Sequence, residues 1–195
     1  MDYLIAPEKY EAPEFIIRGY QPGDGPLLFE AVDTSREHLS TYMPWVDFHK
    51  TVEDSERFAR QSRGHYLLAD EFSLAVFSPD GQRLLGGTGY HLRWGNLATR
   101  TAEVGMWIRA DAAHQGLGPK VLKAIIEWGF TGWPWLKLIW RCNVENIASL
   151  RTAEKAGMLQ EGLIKGDTFD HYSDRRRDTL YYGITKDEWE NKNKG

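Results

Sequence analysis

Apolar residues change their spacing several times along the chain, and each change marks an element. "PEFIIRGY" (Pro13–Tyr20) reads as a first strand, broken by "QPGDGP". Pro26–Glu37 then has helical spacing through Leu27, Leu28, Ala31 and Val32. "HLSTYMPWVDFHK" keeps neither period and reads as an irregular aromatic segment. Thr51, with Asp54 three residues on, has the form of an N-cap with an acidic first turn, opening a helix to about Gln61. In "EFSLAVFSPDGQRLLGGTGYHLRW" the "SPDGQ" turn between two strand-like runs signals a hairpin. Thr101–Arg109 alternates: Ala102, Val104, Met106 and Ile108 face one way, and Glu103, Gly105 and Trp107 the other. "DAAHQGLGPKVLKAIIEWGF" (Asp111–Phe130) passes from a glycine pair into a helical run. Leu136–Val144 alternates again. Asn146 suits the N-cap and Gly157 the C′ position of a short helix. "LIKGDTFDHY" and "RDTLYYGI" form a last strand pair, and Thr185 with Glu188 a capping box for a terminal turn.

This order predicts an α+β domain, a three-layer αβα arrangement around one sheet, because strand and helix do not alternate regularly enough for a doubly wound fold. A length of 195 residues, 42% hydrophobic and 27% charged, fits a single domain over 1–195 with its core at about 14–189. The net charge of −4 argues against nucleic acid as the main partner. Its local exception, Arg175-Arg176-Arg177, reads as a solvated face or structural ion pairs, or else as a contact for phosphate or an acidic peptide. The single cysteine, Cys142, excludes an internal disulfide and a Cys-based zinc site, and fits a reducing cytoplasm. No His/Asp/Glu grouping has metal-ligand spacing, so no metal is expected. The opening "MDYLIAPEKYEAPEF" lacks a charged-then-apolar export pattern, and no window approaches the ~20 apolar residues of a membrane span.

A strand feeding a glycine turn into a helix makes an anion site, since the first helical amides have no intrahelical partner and the dipole is positive there. "HQGLGPK" does not have the spacing of a Walker loop or of a dinucleotide fingerprint. A tight turn before a buried helix explains the segment equally well. Its neighbours narrow the choice. "QGLGPK" resembles the Q/R-x-x-G-x-G/A pyrophosphate loop of the GNAT superfamily of N-acetyltransferases, except at its last position. It follows "AEVGMWI", which resembles that fold's fourth strand. "NVENIASLRTAEKAGMLQEG" resembles the segment after its fifth. "HLSTYMPWVDFHKTVEDSERF" and "RRRDTLYYGITKDEW" are similar to the Rim-type branch, which acetylates ribosomal-protein N-termini. The resemblance runs from about Phe15 to Trp189.

The resemblance implies a GNAT fold: a mixed, mostly antiparallel sheet of about seven strands with helices on both faces. It implies acetyl-coenzyme A as donor, with pyrophosphate on the loop at Gln115, Gly116, Leu117, Gly118, Lys120 and Val121. Pantetheine would pair with the splayed strand end at Met106, Trp107 and Ile108, and Asn146 and Ser149 would also contact the coenzyme. Pro119 has no amide to give, but its preset φ suits a first helical turn. The tyrosine that serves many relatives as acid falls on Ala153. The Rim-type branch has a serine matching Ser149, and the resemblance implies Ser149 as the thiol-side acid or hydrogen-bond donor, with a first-turn serine bonded to backbone as the alternative.

Glu103 ranks first as base, acting through a water with a raised pKa, with a structural ion pair as its alternative. Asp167 ranks second, one position out of register with a glutamate of the serine-using branch. His114 reads as an exposed residue near the phosphates, and His171 as a loop histidine without a role. Tyr42 and Trp45, with Glu103, would line the acceptor groove, unless the aromatic segment is packing alone. The expected activity is acetyl transfer to a primary amine, preferably a protein N-terminal α-amine, in a monomer or homodimer. A small-molecule amine acceptor (a polyamine, amino acid or aminoglycoside) and a non-catalytic acyl-coenzyme A-binding module are the alternatives.

Overall fold

The structure is a computed structural model and describes residues 4–93, 95–170 and 173–194. Among these residues the chain forms β1 (Lys9–Ala12), β2 (Phe15–Gly19), α1 (Gly25–Asp33), α2 (Arg36–Ser40), α3 (Val52–Leu68), β3 (Phe72–Phe77), β4 (Leu84–His91) and β5 (Thr101–Ile108). There follow α4 (Leu117–Thr131), β6 (Lys137–Asn143), α5 (Ile147–Lys155), β7 (Leu159–Asp170), β8 (Arg175–Thr185) and α6 (Lys186–Asn193). The sheet order is β1-β2-β3-β4-β5-β6-β8-β7. Of the pairings described, β5–β6 is parallel and the rest antiparallel. The sheet is thus mixed and mostly antiparallel, with eight strands rather than about seven. The extra strand is β1, which folds back on β2 from Lys9↔Arg18 to Ala12↔Phe15. Its sequence, "KYEA", sits at the sheet edge with no buried position, so it carries no apolar signal.

The chain divides into two compact units. The first holds the residues through Leu92 together with Gly105–Gly118. Its core joins Tyr20, Leu28, Val32, Leu39, Val46, Ala59, Phe77 and Leu84. Gly25 lets α1 meet α3 closely, because a Cβ there would lie 2.6 Å from the Glu56 backbone. Glu56 then caps α1 from the neighbouring helix, accepting the Gly23 amide at 2.9 Å and the Gly25 amide at 3.1 Å. The helical run expected to reach Glu37 stops at Asp33. Ser35 is buried in the break, and its hydroxyl accepts the Ala110 amide at 2.9 Å. In α3 the Thr51–Asp54 capping box forms as the spacing predicts. The helix continues past Gln61 to Leu68, because Ala59, Ser62 and Tyr66 extend its buried face through Gly64.

The second unit comprises Arg93–Val104 and the chain from Pro119 onward. In it α4 buries Val121, Leu122, Ile125, Ile126 and Phe130, and β6 buries Leu138, Trp140 and Cys142 in strict alternation. Gly157 follows α5 at φ +88° and closes it as a glycine C′ residue should. Thr185 and Glu188 form the expected capping box of α6. The arginine triplet lies on β8 and is taken up structurally. Arg175 pairs with Glu145 at 2.7 Å, Arg177 pairs with Asp170, and Arg176 donates to the Gly166 carbonyl at 2.7 Å.

Candidate active site

The site begins on β5, where alternation buries Ala102 and Val104 and sends Glu103, Gly105 and Trp107 to the opposite face. The parallel register with β6 covers only Thr101↔Lys137, Ala102↔Leu138 and Glu103↔Ile139. From Val104 onward the β5 backbone has no partner in that register. On its β4 side the strand is fixed, with the Thr88 hydroxyl donating to the Gly105 carbonyl at 2.9 Å and the Arg109 amide to the Leu85 carbonyl at 3.0 Å. The Trp107 indole lies across Gly87, where any Cβ would strike it. Trp45 packs on the same indole, ring centroids 5.5 Å apart, and on His49 at 5.7 Å. The tertiary fold therefore joins Trp45 and Trp107, and Tyr42 stands half-buried three residues before Trp45. Met106 and Ile108 are half-buried, although alternation puts them on the same face as the buried Ala102 and Val104.

Arg109 anchors the segment that follows. Its guanidinium is buried and donates to both Glu30 oxygens at 2.7 and 2.8 Å and to Asp111 at 2.7 Å. Asp111 also pairs with Arg83, and the Gln115 side chain donates to the Asp111 carbonyl at 2.8 Å. His114 (φ +60°) and Gly116 (φ +80°) then turn the backbone into α4. A Cβ at Gly116 would meet nothing within 4 Å, so glycine is required there by conformation rather than by space. Leu117 opens the helix, which puts Pro119 third in its first turn, where no helical bond is lost. By helix geometry the amides of Gly116, Leu117 and Gly118 have no intrahelical partner, whereas that of Lys120 reaches the Gly116 carbonyl. Lys120 is exposed, Val121 is buried, and the exposed His114 ring lies 6.3 Å from that of His38.

In the second unit Asn146 caps α5, its Oδ1 accepting the Ser149 amide at 3.1 Å. That bond uses the acceptor end of the amide and leaves the NH2 end for another partner. The Ser149 hydroxyl oxygen accepts the Trp140 indole N–H at 3.1 Å, a bond that does not use the hydroxyl hydrogen. Burial pushes the Cys142 thiol pKa up, opposed by hydrogen bonding with Ser149. Ala153, at the tyrosine position, is fully buried.

Glu103 and Asp167 are brought together by Arg141. The guanidinium is 2.5 Å from an Asp167 oxygen and 3.8 Å from Glu103 Oε2, and it stacks over Tyr181 at 4.8 Å. Glu103 Oε2 is buried and accepts no hydrogen bond. The two carboxylates thus differ: Asp167 is committed to a short ion pair, and Glu103 keeps one acceptor open.

Sequence reasoning missed Arg109, Arg141 and two histidine pairs. The His91 Nδ1 is hydrogen-bonded to Glu71. Buried His49 shares a 3.0 Å hydrogen bond between Nδ1 and Ser55 Oγ, and burial lowers its pKa, with nearby Arg36 adding to the effect and Asp54 opposing it. The partners are 79, 26, 20 and 6 residues apart in sequence, and no local motif carried them. His171 lies outside the described residues. Among the described residues no group of three His, Cys, Asp or Glu could hold a metal ion, and no helix is long and apolar enough to cross a membrane.

A family model described as an acetyltransferase (GNAT) domain matches residues 14–159. The uncharacterized N-acetyltransferase YnaD of Bacillus subtilis is 28% identical over 180 residues, covering 89% of this chain and 95% of its own. The ribosomal-protein-serine acetyltransferase of Escherichia coli is 24% identical over 151 residues, covering 75% of this chain and 81% of its own. Among solved structures, the microcin C7 self-immunity acetyltransferase MccE, in complex with acetyl-CoA and AMP, superposes with a TM-score of 0.79 at 19% identity. That match covers 89% of this chain and 93% of the other.

Proposed function

The chain belongs to the GNAT acetyltransferase family, and we propose that it carries acetyl from acetyl-coenzyme A to a primary amine, preferably a protein N-terminal α-amine. The observation that supports this most directly is the end of the β5–β6 register at Glu103. It frees a length of strand backbone immediately before a loop that presents unpaired amides at a helix start. In this reading the pantetheine arm pairs with the free edge at Met106–Ile108. The pyrophosphate takes the amides of Gly116, Leu117 and Gly118, with the Gln115 side chain beside them and Lys120 neutralising charge from outside.

Acyl transfer requires a neutral amine, a polarised thioester carbonyl and a proton for the leaving thiolate. Strand N–H groups polarise the carbonyl, and alignment of the two reactants supplies much of the rate. Ser149, bonded to Trp140, donates to the thiolate, and the free NH2 of Asn146 contacts the coenzyme. Glu103 acts on the acceptor amine through a water, and Asp167 holds Arg141. An α-amine, with a pKa of about 8, needs less deprotonation than a lysine at about 10.4. The E. coli relative's name, which specifies a ribosomal-protein serine, supports the N-terminal acceptor.

A small-molecule amine is the second reading. It draws on the MccE complex with AMP and on the Trp45–Trp107 pair, which offers a flat aromatic surface. A non-catalytic binding module is the third, with Ala153 in its favour.

Calorimetry with acetyl-coenzyme A tests the donor site. Thiol release over peptides with free serine and alanine N-termini, spermidine and an aminoglycoside then names the acceptor. Turnover of the peptides is expected. Turnover of spermidine alone transfers the assignment to the second reading, and donor binding without any turnover to the third.

A further inference from the structure

The first unit holds a carboxylate–imidazole pair that neither the family resemblance nor the sequence reading assigns. Glu71, at the turn into β3, is bonded to His91 Nδ1 on β4. The Glu71 carboxylate accepts from Nδ1, which leaves Nε2 as the ring nitrogen that Glu71 does not engage. Nε2 makes no hydrogen bond to any described residue. It points across Gly105, where a Cβ would stand 2.7 Å from it. The ring is largely enclosed but reaches solvent, its side chain being 14% exposed. Gly105 is therefore the residue that admits the imidazole to the Glu103–Gly105–Trp107 face of β5. That face continues into Trp107 and its partner Trp45, the residue expected in the acceptor groove.

We infer that His91, oriented by Glu71, is the group that takes the proton from the acceptor amine; this rests on the acetyl-transfer reading above. Nε2 accepts one proton from the acceptor ammonium, leaving a neutral amine. The nitrogen lone pair forms the C–N bond to the acetyl carbonyl, and the C–S bond breaks. The proton that the nitrogen still sheds goes to the leaving sulfur, which departs as thiol. His91 afterwards releases its proton to solvent. Ammonium and thioester thus give amide, thiol and one proton.

Glu71 is the charged group on the imidazole from the β3 side, and Gly105 brings none from β5. The next titratable side chain on that face of β5 is Glu103, two positions back. On β4 the neighbouring Tyr90 is buried, and burial holds its hydroxyl pKa well above the usual range. Glu71 fixes the orientation of the ring, so that Nε2 is the nitrogen turned toward Gly105.

The test is steady-state thiol release from pH 5.5 to 9.5 for wild type, His91→Gln and Glu71→Gln, with the best acceptor of the panel. Donor affinity by calorimetry and melting by circular dichroism run alongside. His91→Gln should lower kcat about 10²-fold at pH 7 with donor affinity unchanged. The deficit should shrink to a few-fold above about pH 9, where an α-amine of pKa about 8 is neutral without help. Glu71→Gln, which keeps the shape of its residue, should give an intermediate deficit of the same pH form. Wild-type kcat in His91→Gln, or a deficit equal at every pH, overturns the inference. If His91→Gln does not fold, Glu71→Gln decides by the same criteria. Wild type that releases no thiol with any acceptor defeats the transfer reading and this inference together, a result distinct from an active wild type with an unaffected variant.

Discussion

Arg109→Met tests whether the turn into α4 is held by one buried guanidinium. Methionine keeps most of the aliphatic volume and removes every donor. Five bonds are lost: two to Glu30 at 2.7 and 2.8 Å, one to Asp111 at 2.7 Å, one to the Leu84 carbonyl at 3.2 Å and one to Thr34 at 3.4 Å. Removing one partner of a fully buried ion pair costs about 3–5 kcal/mol, because the other charge is stranded. Here the strandable charges are not deep. The Glu30 and Asp111 side chains are 50% and 54% exposed, so both rehydrate when the arginine is gone. What remains is the lost charge-assisted bonding and the Leu84 carbonyl left in a dry place, about 2–3 kcal/mol together. In urea, at roughly 2–3 kcal/mol per molar, the tryptophan-fluorescence midpoint should fall by about 1 M. Glu30→Gln keeps an acceptor oxygen and should cost about 1 kcal/mol. Added to Arg109→Met it should cost almost nothing more, since the two act through one contact. A midpoint within 0.2 M of wild type for Arg109→Met, or full additivity with Glu30→Gln, would refute the account.

Gly116→Ala should weaken acetyl-coenzyme A binding by about tenfold, because a φ of +80° costs an L-residue about 1–2 kcal/mol and the loop relaxes away from it; calorimetry reads this, and an unchanged Kd removes the loop from the donor site. Ser149→Ala should reduce turnover more than donor affinity. Equal kcat in the two proteins takes Ser149 out of the chemistry, and an equal loss in Trp140→Phe shows that the indole's hydrogen bond is part of the effect. His49 makes stability depend on pH. Its folded pKa lies below the unfolded value of about 6.5, so the unfolded chain binds the proton more readily. Stability is therefore full above about pH 6.5 and is lost as pH falls through that value toward the folded pKa. His49→Gln should flatten the slope of the urea midpoint between pH 7 and 5, and an unaltered slope assigns the acid sensitivity to other groups.

Much of the fold was legible because its signals are local. The Thr51–Asp54 and Thr185–Glu188 capping boxes, the Asn146 cap, the Gly157 terminator and the alternation of Thr101–Ile108 and Lys137–Asn143 each involve residues within a few positions of one another. Backbone geometry alone makes such neighbours meet. The glycine loop was legible for the same reason, and Gly116 has the positive φ that its place before a helix calls for. The elements that local reading misjudged were set by distant partners. β1 exists because β2 pairs with it, α1 stops because Ser35 is bonded to Ala110, and α3 runs on because Tyr66 has a place in the core.

By itself, then, the sequence determined the element order, the helix caps, the glycine turn and, through its motifs, the family. Tertiary structure alone decided which polar groups share a space. It ended the β5–β6 register at Glu103 and placed Arg141 between Glu103 and Asp167, so that one carboxylate is committed and the other keeps an open oxygen. It set the Trp140 indole on Ser149 and put His91, backed by Glu71, over the one β5 position without a side chain. The physical reason is the same in each case. Periodicity tells which way a side chain faces, but a hydrogen bond or an ion pair depends on a separation of about 3 Å between chemical groups, and residues far apart in the chain reach that distance only once the sheet has formed.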